Sequence, residues 1–161
     1  DEYDVKILET IQNDGRITKT KLAEKINLSP SPTWERLKRL EEGGIITGYY
    51  GRINIKAITP VTTVMVEVIL KRHQSEDFKL FEDAVLSFSE ITECLAIGGG
   101  VDYLMRVVTP DIDTYQRFMD SLLEDDIGID RYFTYIVTKP IKPLEEMPIS
   151  CLTDKLSANR T

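Results

Sequence analysis

Cysteine and histidine are nearly absent, two and one respectively among 161 residues. That is too few for a disulfide framework or a cage of metal ligands. Long apolar runs are missing as well. The most extended, 64–66 and 68–70, fall far short of the ~20 residues of a membrane-spanning helix, so no membrane association is expected. The chain starts Asp-Glu-Tyr-Asp, acidic where an export signal has its basic region, which fits a cytoplasmic protein. Positive charge is in deficit: 20 Lys+Arg stand against 27 Asp+Glu, a net charge of −7. Averaged over the chain, that argues against nucleic acid as a partner. What is present is a globular composition, 42% apolar and 29% charged, which excludes wholesale disorder. The length suits one ordinary domain or two small ones.

The average conceals a division. Residues 1–56 hold 10 basic and 9 acidic side chains, whereas residues 57–161 hold 10 and 18. Within 16–39, Arg16, Lys19, Lys21, Lys25, Arg36, Lys38 and Arg39 face only Glu24 and Glu35, a local net of +5. A basic face on an acidic protein suits phosphate, because charge attraction is short-ranged in physiological salt. A solvated helix surface carries the same charges, so charge alone does not choose between them.

The periodicity through residue 47 is helical. Val5, Leu8 and Ile11, with Ile7 alongside, form an apolar stripe; Asp1 is placed to cap that helix and Gly15 to end it in a left-handed conformation. Thr18 caps a second helix with Leu22, Ala23 and Ile26 inward, and Ile17 and Leu22 are spaced as a hydrophobic staple. Asn27-Leu28 then make a tight turn. The third helix occupies 29–42: Ser29 is an N-cap, Pro30 sits at the first helical position, and Pro32 is still within the first turn, whose amides lack intrahelical partners. Thr33, Leu37 and Leu40 line one face, Ser31, Glu35, Arg36 and Arg39 point elsewhere, and Gly43-Gly44 end the helix. Two helices joined by a short turn, the second opened by small polar residues and carrying arginines, fit a DNA-binding helix-turn-helix. An ordinary three-helix module with a charged surface is the alternative. Residues 48–60, with alternating Ile53 and Ile55, read as a wing or linker strand.

Beyond residue 61 the pattern changes to β-α-β-β-α-β. Strands are expected at 61–70, 91–97, 101–108 and 131–139. One helix spans 76–88 on Phe78, Phe81, Val85 and Leu86 or Phe88. A second, capped by Asp111 or Thr109, is striped by Ile112, Tyr115, Phe118, Met119 and Leu122. This is the ferredoxin-like order. The expected class is therefore α+β: a winged helix-turn-helix (1–47), a wing or linker (48–60), a ferredoxin-like domain (61–140) and a polar tail (141–161) without assigned role. Two helices on one face leave the other face of the sheet bare, which predicts a dimer or higher oligomer.

No catalytic set assembles from these residues. His73 follows a strand beside Lys71 and Arg72, as in a solvated loop; Cys94 reads as a small buried hydrophobe and Cys151 as a tail thiol; Glu124-Asp125-Asp126 reads as a solvated helix end. Gly98–Gly100 precede a strand rather than a helix, unlike a phosphate-binding loop, and read as a tight hairpin where backbone approaches another chain or a small ligand. No enzyme activity, metal or cofactor is expected.

Over residues 1 to about 145 the chain resembles the Lrp/AsnC (leucine-responsive, feast/famine) family of transcriptional regulators. The resemblance rests on Asp4-x-x-Ile7-Leu8, Asp14-Gly15-Arg16, Leu22-Ala23, LSPSPTWERLKRLEEGGII at 28–46, Gly48-Tyr49, Cys94, GGGVDYL at 98–104, Pro110-Asp111 and Thr134. It implies a DNA-binding helix-turn-helix joined to a ligand-sensing dimerisation domain. It also implies homodimers that often assemble into octamers, and amino-acid-like effectors bound between subunits. The resemblance makes 29–42 the recognition helix, with Ser31, Pro32, Thr33, Arg36 and Arg39 in matching positions. Ser29 and Trp34 join them as candidate contacts, Lys19, Lys21, Lys25 and Lys38 are expected to supply phosphate attraction, and Arg36 or Arg39 base or phosphate contacts. Thr33 also suits the core, and Trp34, where the family has smaller or aliphatic residues, either touches DNA or covers the bundle.

The implied effector residues are Gly98, Gly99, Gly100, Val101, Asp102, Tyr103, Asp111 and Thr134. The family's Gly-Asp-aromatic-Asp-aromatic turn aligns with Gly99–Tyr103, where Gly100 replaces the first Asp and Val101 the first aromatic. That removes a carboxylate able to pair with an ammonium group. A different ligand, substitution by Asp102 or Asp111, and a regulator without effector all remain open. The expected mode is a dimer placing two recognition helices in successive major grooves of a pseudo-palindromic operator, ~34–36 Å apart, with effector binding shifting the assembly. An effector-independent architectural DNA-binding protein is the alternative.

Overall fold

A computed structural model describes residues 1–142 and 146–158. The chain divides into two compact units, residues 1–52 together with the chain from 142 onward, and residues 53–141.

The first unit is helical. Helix α1 (Glu2–Asn13) begins at Asp1, whose carboxylate accepts the N–H groups of Tyr3 and Asp4. Its buried face centres on Ile7 and Thr10, with Leu8 and Ile11 packed partly against the core. Gly15 does not take the expected left-handed conformation. The Asp14 side chain accepts the Arg16 N–H at 3.0 Å, an Asx turn that redirects the chain without a positive φ.

Helix α2 (Lys19–Lys25) is capped by Thr18, which accepts from the Lys21 N–H. It ends on Asn27 at φ 55°, with Leu28 N–H bonding Ala23 O and Asn27 N–H bonding Glu24 O. Helix α3 (Pro30–Glu42) ends in the same way on Gly44 at φ 68°. There Ile45 N–H reaches Leu40 O and Gly44 N–H reaches Glu41 O. Both pairs are the Schellman arrangement, which satisfies the last carbonyls of a helix. Ile7, Leu22, Ile26, Leu37 and Leu40 form this unit's core.

The tail also contributes to this unit. Helix α6 (Ile149–Ala158) belongs with α1. The Gln12 amide donates to Met147 O at 3.1 Å and accepts its N–H at 2.7 Å, and Ser150 Oγ donates to Glu9.

The second unit is a four-stranded antiparallel sheet in the order β2-β3-β1-β4. Its strands are β1 (Thr62–Leu70), β2 (Ile91–Ala96), β3 (Tyr103–Thr109) and β4 (Ile129–Ile136), with helices α4 (Ser75–Val85) and α5 (Ile112–Glu124). Val64, Val66, Val68 and Leu70 alternate inward on β1 and meet Tyr103, Met105 and Val107 of β3 beneath Phe81, Val85, Phe118, Met119 and Leu122 of the helices. The strand period of two explains the choice. Phe88 packs on this core whereas Leu86 is exposed. Asp111 caps α5, and Ile112 lies outside its buried stripe. Among the described residues the opposite sheet face is uncovered: Leu95, Phe133 and Tyr135 are exposed, and Met65, Ile69, Leu104 and Val108 are half-buried.

The strand expected within 48–60 does not form. The only regular structure in that stretch is a 3-10 turn at Ile55–Ala57. Alternation at Ile53 and Ile55 has the right period, but a strand needs a neighbour to take its hydrogen bonds.

Candidate nucleic-acid interface and effector turn

At the start of α3 the prolines shape which groups are available. Ser29 occupies the N-cap with extended backbone, yet its hydroxyl accepts no capping bond. Pro32 removes the third amide that such a hydroxyl would take, and Pro30 removes the first. The Ser29 and Ser31 side chains are exposed and uncommitted to the helix. Ser31, Glu35 and Lys38 lie on the face away from Thr33, Leu37 and Leu40, with Trp34 on one flank and Arg39 on the other; Pro32 is half-buried. Lys38 makes an exposed pair with Glu42 at 3.5 Å. Lys19, Lys21 and Lys25 of α2 are exposed, and the Lys19 ammonium lies 2.9 Å from the centre of the Trp34 ring.

Thr33 takes the core reading of its two, and the expected Arg36 contact is corrected. Thr33 is 1% exposed, and its hydroxyl donates to Ser29 O at 2.9 Å. It belongs to the core. Arg36 points to the start of α1, where Nη1 bonds Asp1 at 2.5 Å and Asp4 at 3.0 Å, near the Tyr3 ring. Its side chain is 26% exposed, so it joins α1 to α3 rather than facing a groove. Arg39 bonds the same Asp4 at 3.1 Å but remains 65% exposed. Burial opposes ionisation of Asp4, yet the hydrogen bond from Arg36, the hydrogen bond and charge of the Asp1 ammonium, and last the charge of Arg39 outweigh it and hold the carboxyl below its ordinary pKa.

Tyr49 donates to Glu41 at 2.7 Å. Burial, and then that bond, push its phenol up to about 12.

In the second unit the glycine turn joins β2 to β3. Gly98, Gly99 and Gly100 are exposed, and a Cβ at any of them would meet nothing within 4 Å. Only Gly99, at φ 154°, takes a conformation that favours glycine. Among the described residues nothing lies against these glycines, and the close approach is expected from another chain or a small ligand. Val101 is half-buried.

Asp102 is committed: its carboxylate accepts the Leu70 N–H at 2.7 Å and faces His73 Nε2 at 3.0 Å, while its own N–H bonds Val68 O. His73, read from sequence as a solvated loop residue, thus braces the turn. Nothing local signals this, since the partner lies 29 residues on.

Tyr103 is a further correction. Its side chain is 3% exposed, stacks 4.5 Å from Phe81 and donates to Glu82 at 2.7 Å. Burial and the Glu82 carboxylate raise its pKa, and it is a core residue. Asp111 caps α5 by accepting the Thr114 N–H at 2.7 Å. The hydrogen bonds of Thr114, side chain first and then backbone, lower its pKa. It follows the far end of β3 from the glycine turn, roughly 20 Å away at strand rise. Thr134 lies in mid-strand, its hydroxyl 2.6 Å from that of Tyr115. One chain therefore brings Gly98–Asp102 together and leaves Asp111 and Thr134 elsewhere.

Cys94 is half-buried, its thiol raised to about 11 by burial and the Glu82 charge, which suits packing rather than reactivity. Among the described residues no cluster of three metal-ligating side chains occurs, and no helix is long and apolar enough to cross a membrane.

Comparison with known proteins covers both units. A winged helix-turn-helix DNA-binding model matches residues 1–47, and the Lrp/AsnC ligand binding domain matches residues 63–147. The transcriptional regulatory protein DoeX of Halomonas elongata is 56% identical over 142 residues, 88% of this chain and 90% of that protein. The leucine-responsive regulatory protein of Escherichia coli is 34% identical over 149 residues, 92% and 91% of the two chains. A transcriptional regulator of Neisseria meningitidis, solved in complex with L-Met, superposes with a TM-score of 0.87 at 30% identity, covering 94% of this chain and 98% of that one.

Proposed function

The chain belongs to the Lrp/AsnC family of DNA-binding transcriptional regulators, and from that premise we propose how it divides the work. The exposed face of α3, Ser29, Ser31, Trp34 and Lys38, meets the major groove, and Lys19, Lys21, Lys25 and Arg39 meet phosphates. The observation that carries this reading is the sorting of α3 into a buried stripe, an arginine flank bound to α1 and one outward polar face. Serine hydroxyls and a lysine can bond base edges and phosphates there. The protein is a regulator without catalytic activity, and it acts in the cytoplasm.

The second unit senses an amino acid or related metabolite at Gly98–Val101. With Asp102 engaged by Leu70 and His73, the main-chain N–H and C=O groups of the glycines are the ligands for its charged ends. That fits the loss of a carboxylate at Gly100. The regulator solved with L-Met supports an effector of this class.

Two copies associate through the uncovered sheet face, because exposed apolar side chains gathered on one face are normally covered by a partner. The dimer spans two half-sites one DNA turn apart, ~34–36 Å, and the net charge of −8 over residues 57–161 keeps DNA on the helical units.

Duplexes enriched from a random pool by the full-length protein test the DNA reading. Nanomolar, sequence-dependent binding supports it; equal affinity for scrambled duplex refutes it. A thermal-shift screen of amino acids and their derivatives tests the sensor. A compound that raises Tm and alters operator binding is expected, and a screen in which none does so returns the protein to an effector-independent architectural role.

A further inference from the structure

Trp34 is the chain's single tryptophan, and it is 38% exposed in the middle of a helix that otherwise buries its apolar residues. It lies three residues after Ser31 and four before Lys38, and that spacing sets the three along one ridge of α3. The indole borders a cleft of about 160 Å3 lined by Ile17, Leu22 and Leu37 without filling it. One face of the ring carries the Lys19 ammonium, 2.9 Å from its centre, and a cation so placed is held by the negative ring face. A residue serving only as cover for the bundle would bury its ring in that cleft.

From this geometry we propose that Trp34 reads a thymine methyl group in the major groove, with Lys19 held on the ring to bind the neighbouring phosphate. The proposal rests on α3 being the recognition helix. In the major groove the base edges are hydrogen-bonding groups except for the thymine C5 methyl, which is apolar. An indole offers broad carbon surface with only two side-chain torsions to order, so contact with a methyl group loses little conformational freedom. Lys19 sits in the first turn of α2, and in a helix-turn-helix the first helix of the pair crosses the DNA backbone. Tryptophan and lysine then divide one contact into a sequence-reading part and a charge-neutralising part.

The test enriches random duplexes with the full-length protein, with Trp34→Phe and with Trp34→Ala. Affinities for the parent's duplex are then measured by anisotropy, replacing each thymine in turn by uracil, which lacks only the methyl. One thymine per half-site is expected at which uracil weakens the parent about fourfold, the value of one buried methyl group. Trp34→Phe should retain that discrimination. Trp34→Ala should be indifferent to the exchange and should no longer enrich thymine at that position. Lys19→Ala should weaken binding to all duplexes alike. If no uracil exchange weakens the parent, or if Trp34→Ala keeps the thymine preference, the assignment is overturned. If the parent enriches no sequence at all, the recognition-helix reading falls first and this assignment with it. The uracil series needs only the parent protein, so poor folding of Trp34→Ala does not shield the proposal.

Discussion

Asp4 is the residue on which the arginines of α3 converge, and its neighbours decide which of them remain available to DNA. Arg36 is spent on Asp1 and Asp4, whereas Arg39 keeps most of its surface in solvent. Asp4→Asn should therefore destabilise the protein by about 1–3 kcal/mol at pH 7, the range for losing charge-assisted hydrogen bonds, read as a lower urea midpoint. Because the folded pKa of Asp4 is lowered, its contribution is complete above the ordinary aspartate value, about 3.9, and is lost as the pH falls through the folded value. Stability measured from pH 5 to pH 2 should decline more steeply for the parent than for Asp4→Asn.

Lysines on the outer face behave oppositely. Lys21→Ala and Lys38→Ala should leave the urea midpoint unchanged and make the dependence of log K on log salt shallower by about 0.9 each. A midpoint shift as large as that of Arg36→Ala would place them in the fold instead.

At the scale of elements, the two Schellman ends are the fixed points of the helix-turn-helix. Gly44 has φ 68°, and a Cβ there would meet nothing within 4 Å, so Gly44→Ala isolates the backbone cost. It should lose about 1 kcal/mol in thermal unfolding, with DNA specificity intact. These ends were legible from Asn27 and from Gly43-Gly44, because left-handed residues follow a helix by local sterics. The end of α1 was not: Asp14 supplied a side-chain bond, and a neighbouring glycine was the more obvious sign.

Helix α6 was hidden for a related reason. Residues 149–158 read as part of a polar tail although Ile149, Cys151 and Leu152 are apolar, and what engages this stretch is Gln12 and Glu9, 135 and 141 residues away. Gln12→Ala should loosen it, seen as faster amide exchange in 149–153 with little change in the strands.

For the whole molecule the open question is assembly, and the uncovered sheet face supplies the measurement. Phe133 and Tyr135 are exposed there, on the strand face opposite the helices. Phe133→Asp should convert the parent's dimer or larger species to monomer in light scattering. It should also weaken operator binding far more than binding of a single half-site, since two linked contacts are lost to one. A monomeric parent would remove the basis for this prediction.

The sequence by itself determined three N-terminal helices, the β-α-β-β-α-β order and the two helix stripes, because these follow from spacing along the chain: 3.6 or 2 residues per period, caps, and turn residues. That the three helices are a DNA-binding helix-turn-helix came from the family resemblance and the matching family model. It also showed that a net charge of −7 divides between a basic helical segment and an acidic remainder. Tertiary structure decided which polar residues are free to act. Thr33, Arg36, Tyr103 and Asp102 all carry groups suited to binding, and each is occupied by the protein itself, at Ser29, Asp4, Glu82 and Leu70. Residue type gives a side chain's capacity for hydrogen bonding, but only the partners brought beside it by folding determine whether that capacity is already used.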